Sequence, residues 1–100
     1  MQIEDFIQEG SDNAISRCEL EMMTGKKDRD NRRKIAQYNE TADIPIINAK
    51  DGYYKATNPE EIVDVARREY FRAKTIEKNA QRLFSIADQM RDNLEVRARL

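Results

Sequence analysis

Apolar residues recur along this chain at helical, alternating and heptad spacings, and each change of spacing marks an element. Ile3, Phe6 and Ile7 stand at i, i+3 and i+4, one face of a short helix expected to stop near Gly10. Gly10-Ser11-Asp12-Asn13 reads as a loop. Ser16 then opens a second helix as its cap, with Glu19 three residues on. This is a capping box, in which the Glu19 carboxylate is expected to reach back to the Ser16 N–H. Ile15 and Leu20 make the matching hydrophobic staple. Leu20 and Met23 are expected in the core, Met22 at its edge, and Gly25 ends the helix after roughly two turns. A further helix is expected from about Lys27 or Asp28, where an acid suits the positive end. Ile35 and Tyr38 mark its buried stripe. Stepping 100° per residue puts Asn31 on the same stripe and Arg29, Arg33 and Ala36 nearly opposite. Gln37 and Glu40 lie beside them, and Arg32, Lys34 and Asp30 flank.

The rhythm then shortens. Ile44 precedes Pro45 and is pushed towards an extended conformation. Ile46-Ile47-Asn48 and Tyr53-Tyr54-Lys55 read as strands joined by Ala49-Lys50-Asp51-Gly52, with Asp-Gly as the hairpin signal. A period of two predicts one of Tyr53 and Tyr54 facing in and the other out. Asn58 caps the last helix, Pro59 takes its first position, and Glu60 and Glu61 suit its positive end. No Gly or Pro follows, so that helix is expected to run to about residue 95, with residues 96–100 fraying. It carries a heptad seam. Ala66, Ala73, Ala80, Ala87 and Leu94 repeat at one position, and Ile62, Glu69, Ile76, Leu83 and Met90 fill the other. Alanine in a seam lets helix axes come close, which favours an antiparallel pair of chains. Ile62, Val63, Tyr70 and Phe71 are expected to cover the part before it, and Phe84 and Ile86 broaden the seam.

Composition narrows the function. One hundred residues fit one small domain with an extension, here residues 1–57 and a dimerisation helix over 58–100. The formal net charge is only −1, but it is unevenly spread. Residues 1–25 carry −5, whereas residues 26–34 hold six basic and two acidic side chains. Cys18 is alone, expected to be a small buried or half-buried side chain, and with no histidine a zinc site is not expected. No run of about 20 apolar residues suggests a membrane span. No Gly-rich phosphate loop and no nucleophile paired with a base is visible, so neither an enzyme nor a bound cofactor or small-molecule substrate is expected.

A short capped helix, a Gly turn, an arginine-rich helix and a hairpin follow one another in the order helix-turn-helix then wing. Ala14-Ile15-Ser16, Glu19-Leu20, Thr24-Gly25, Asp28-Arg29, Arg32-Arg33, Ile35, Pro45-Ile46 and Gly52-Tyr53-Tyr54 together resemble winged helix-turn-helix proteins. The likeness is greatest to small ones encoded by phages and prophages of Gram-positive bacteria. The resemblance covers about residues 3–75 and implies a three-helix core plus wing, with helix 28–40 in the major groove of duplex DNA and hairpin 46–55 on the backbone or minor groove. Two positions depart from the pattern. Asn31 stands where such proteins usually carry an aliphatic residue, and Lys27 where a Ser or Thr cap is common, leaving the capping to Asp28. The expected fold is mainly α with a small β-hairpin. The expected function is DNA binding in a bacterial host cytoplasm, at the nucleoid, in gene regulation or replication. Arg29, Arg33 and Gln37 would meet base edges, and Lys26, Lys27, Arg32, Lys34, Lys50 and Lys55 would hold phosphates. Ala73, Ile76, Ala80, Leu83, Ala87, Met90 and Leu94 would form a homodimer contact. The rivals are a protein-interaction module on the same scaffold, such as an inhibitor or adaptor of a host protein, and a purely structural dimerisation protein.

Overall fold

Residues 1–99 are described by a computed structural model. The chain is mainly helical, with one two-stranded antiparallel hairpin and a long last helix. Single 3₁₀ turns at Ile3–Phe6 and Ser11–Asn13 precede helices α1 (Arg17–Thr24) and α2 (Asp28–Thr41). Strands β1 (Ile46–Ala49) and β2 (Gly52–Lys55) follow, then helix α3 (Pro59–Arg99). One compact unit covers Met1 to Val65 and a second begins at Ala66. The first turns of α3 therefore belong to the first unit, beyond the boundary at 57.

The amino-terminal helix expected up to Gly10 is only one 3₁₀ turn. At Ile7 the backbone turns extended, with φ −116° and ψ 127°. From there it runs beside β2. The Lys55 N–H donates to the Gln8 carbonyl at 2.8 Å, and the Gly10 N–H donates to the Lys55 carbonyl at 3.0 Å. A short helix with both ends frayed loses to this pairing, because the strand supplies partners for backbone groups that a single turn leaves orphaned. The apolar face survives the change: Ile7 is buried, and Ile3 and Phe6 pack half-buried against the core.

In α1 the Glu19 N–H donates to Ser16 Oγ at 3.1 Å, as a cap should. The return bond differs from the expected box: the Ser16 hydroxyl itself donates to Glu19 Oε1 at 3.2 Å. Ile15 and Leu20 both join the core, and Gly25 closes the helix with a left-handed φ of 70°. Leu20 is the one buried residue of α1. Met23, expected in the core, is exposed, because Thr24 one position later sits at i+4 from Leu20 and turns inward instead. Cys18, two residues from Leu20, lies on the outer side and is exposed rather than buried.

β1 and β2 pair with Ile47 opposite Tyr54 and Ala49 opposite Gly52, so the turn residues are Lys50 and Asp51, and Gly52 opens β2. Tyr53 and Tyr54 point to opposite faces, yet both are buried. Tyr53 packs with Ile7, Ile15, Leu20, Ile35 and Ile46. Tyr54 packs with Ile47 and Ala56 under Ala14 and Val65. The expectation of one tyrosine facing out failed because the hairpin is covered on both sides, by the helices on one and by the start of α3 on the other.

Asn58, Pro59 and Glu61 begin α3 as expected. The Glu61 N–H donates to Asn58 Oδ1 at 3.1 Å, while the Thr57 hydroxyl and N–H both donate to Glu61 Oε1, at 2.6 and 3.0 Å. These Thr57 bonds hold the Glu61 carboxyl below its ordinary pKa. A depressed carboxylate contributes stability that is present above its unfolded pKa and is lost as pH falls through its folded one. Glu61→Gln should therefore flatten the acid side of the stability profile, followed by far-ultraviolet circular dichroism. Superimposable acid profiles for the two proteins would show the cap to be idle. α3 is helical through Arg99, past the expected end near residue 95; Leu100, within the stretch expected to fray, lies outside the described residues. Val65, not Ile62 or Val63, packs on the hairpin cluster, and Tyr70 and Phe71 are more than half exposed. The two rings meet edge to face at 5.9 Å.

Candidate nucleic-acid interface

One face of α2 is engaged along its whole length. At its first residue, Asp28 accepts the Tyr53 hydroxyl at 2.8 Å and pairs with Arg32 at 3.0 Å. Lys27 is the cap position but makes no capping bond, and Asp28 does not cap either. Glu21 of α1 does that job from outside, accepting the Asp28 N–H at 3.0 Å. One turn on, Asn31 is 2% exposed, so its amide must find partners inside the protein. Asn31 Oδ1 lies 3.1 Å from the Thr24 hydroxyl, whose single proton is shared with the Leu20 carbonyl at 2.9 Å. Asn31 Nδ2 donates to the Lys26 carbonyl at 3.4 Å. An aliphatic side chain there would leave the turn between the helices without this brace. Ile35 fills the core. Near the end of α2, the Tyr38 hydroxyl donates to the Ile44 carbonyl at 3.3 Å. Asn39 acts as a surrogate strand: its amide accepts the Ile46 N–H at 2.8 Å and donates to the Ile46 carbonyl at 3.0 Å.

The opposite face is turned to solvent. Arg29, Arg33, Ala36, Gln37 and Glu40 are all exposed, as are Lys26, Lys27 and Lys34 around the start of the helix. Lys50 is exposed at the hairpin turn. Two of the nine candidate DNA contacts change. Arg32 is bound in the ion pair with Asp28, which occupies part of its guanidinium. Lys55 is half-buried on β2, where its backbone is held by Gln8 and Gly10. Arg17 was not among the candidates, yet it lines an open depression of about 380 Å³ together with Lys50 and Gly52. Its only sequence signal was its place at the first position of α1, beside the cap. Asp30 and Glu40, on or beside the exposed face, temper its charge.

On α3, Ile76, Leu83, Phe84, Met90 and Leu94 are 60–72% exposed, and Ala80 and Ala87 are half-buried. Among the described residues no cluster of three His, Cys, Asp or Glu is placed to hold a metal ion, and no helix is long and apolar enough to cross a membrane. No family model, curated protein or solved structure matches the chain.

Proposed function

We propose that this chain is a small winged helix-turn-helix protein of the phage type that binds duplex DNA without catalysis and acts as a homodimer through α3. The observation that supports it is the division of α2 into two faces. Its inner face is tied down by Asp28, Asn31, Ile35, Tyr38 and Asn39, while Arg29, Arg33 and Gln37 stand outward on a rigid rod. Long donors flanking the small Ala36 suit the approach of a helix to base edges in a major groove. Lys26, Lys27, Lys34 and Lys50, joined by Arg17, supply the phosphate contacts, which position but do not specify. Arg32, paired with Asp28 at 3.0 Å, and to a lesser extent Arg17, 4.0 Å from the same carboxylate, contribute less than the lysines.

About five neutralised phosphates per protomer give a log K against log salt slope of roughly −4 to −5. Arg33→Ala should weaken binding to a selected sequence by about 1–3 kcal/mol while leaving binding to random DNA closer to wild type. A shift titration over a salt series, with duplexes selected from a random pool, measures both. Absence of binding at low salt ends this reading.

Asp30 and Glu40 favour a second reading, a protein-docking surface on the same scaffold, because carboxylates near a base-reading face repel phosphate. Reversing the charges over Lys26–Lys34 separates the two: DNA binding must be lost, whereas a docking function placed elsewhere would survive.

A further inference from the structure

Beyond Ala66, α3 carries an apolar stripe that nothing of its own unit covers, with Ile76, Leu83, Phe84, Met90 and Leu94 each at least 60% exposed, and such a run of bare apolar side chains marks a contact surface. The stripe is made from seam positions of unequal size: alanine at one, Ile76, Leu83 and Met90 at the other. Side by side in the same direction, two such helices would stack alanine on alanine at one level and bulky residues on each other at the next. Glu69 and Arg97 would also face their own copies. Run in opposite directions, each small residue meets a large one.

We propose that residues 71–99 of α3 pair with the same segment of a second copy, antiparallel, in the register that sets Glu77 against the partner's Arg91. That register also places Ala87 against the partner's Leu83, Ala80 against the partner's Met90, and Leu94 against the partner's Ile76. Phe84 meets the partner's Phe84 beside the two-fold axis, and Asn79 meets the partner's Asn93. The contact runs for about 42 Å at 1.5 Å per residue. A slip of one heptad one way puts Glu69 into the seam opposite Leu94, the other way sets Glu77 against the partner's Ala98, and both separate Glu77 from Arg91. Charge and size therefore select one alignment. Among the described residues Glu77 pairs with Lys74 at 3.9 Å and accepts from Gln81 at 3.5 Å, while Arg91 pairs with Asp88 at 3.4 Å. These contacts within one exposed helix are weak and do not compete with a pair across a seam.

The inference rests on self-association through α3 and not on DNA binding. Sedimentation equilibrium of the full chain tests it with four proteins: wild type, Glu77→Arg, Arg91→Glu and the double variant. Each single reversal puts like charges across the seam twice and should weaken association roughly tenfold. The double variant should recover. So should an equimolar mixture of the two single variants, because Glu77→Arg in one chain then meets Arg91→Glu in the other at both ends. In the same-direction arrangement Glu77 neighbours the partner's Arg72 and Arg91 neighbours the partner's Ile86, and mixing restores nothing. A dimer indifferent to the reversals, or a mixture that stays weak, overturns this alignment while leaving a dimer. A wild-type monomer at high concentration overturns self-association itself, and neither result bears on DNA binding.

Discussion

Gly52→Ala should unfold this protein or bring it close to unfolding, at a cost of about 3–5 kcal/mol. Gly52 opens β2 with φ +123°, where L side chains are strained. A Cβ added there would lie 2.1 Å from the Ile15 carbonyl oxygen and 2.6 Å from its carbon. Those atoms are backbone and cannot swing aside. They are also in use, since Ile15 and Tyr53 exchange both N–H···O bonds, at 3.0 and 2.8 Å. Relieving the clash means pulling β2 away from Ile15, and with it Tyr53 out of the core. Small domains have a margin of only about 5–15 kcal/mol in total. Gly25→Ala is the control: its φ is also positive, at 70°, but nothing lies within 4 Å of the added Cβ. It should cost about 1 kcal/mol. Urea unfolding of both variants reads the difference, and equal losses would show that conformation, not crowding, governs Gly52.

Alkaline stability is the second large effect. Burial pushes the Tyr53 hydroxyl up to a pKa of about 12, helped by its bond to the Asp28 carboxylate and by the charge of that group, with Arg17 and Arg32 acting against it. Unfolded tyrosine loses its proton near 10, so between these values the folded state holds a proton that the unfolded state has released. Stability conferred by this group is therefore complete below about pH 10 and is lost as pH rises towards 12. The amount at stake is about 2–3 kcal/mol, because each pKa unit corresponds to about 1.4 kcal/mol. Tyr53→Phe keeps the ring and removes the titration. It should cost about 1–2 kcal/mol at neutral pH through the lost bond to Asp28. The wild type's advantage should then shrink through the alkaline range and reverse as pH approaches 12. A constant difference would mean that Tyr53 ionises as freely in the fold as out of it.

Much of this architecture is local and so could be read along the chain. The Ser16 cap, the Gly25 stop, the Asn58-Pro59-Glu61 start and the hairpin each depend on neighbours a few residues away. Arg29 and Arg33 fall outside for the same reason, since helical spacing from Ile35 and Tyr38 fixes their direction. What the pattern concealed is nonlocal. Nothing near Gln8 or Ile15 indicates that β2 will take them as partners, so the first segment read as a helix and one of the two tyrosines as solvent-facing. Asn39 and Glu21 carry no signal in the apolar pattern, yet each completes the backbone of an element seven residues away. Asn31 did give warning, because an amide on an apolar stripe needs partners. Which partners, Thr24 and Lys26, required the packed turn. Gly52 was recognised as a turn residue, but its need for glycine comes from Ile15, a neighbour that periodicity cannot reveal.

The company that β2 keeps has a consequence for misassembly. On the side away from β1, its hydrogen-bonding groups are taken by Gln8, Gly10 and Ile15. On the far side of β1, the Ile46 groups are taken by Asn39, and Pro45 has no N–H to offer. Neither border of the small sheet presents an uninterrupted template for an incoming strand, the usual route to fibrils. The amino-terminal segment thus works as a guard rail, and lateral growth of the sheet must wait until that segment has peeled away.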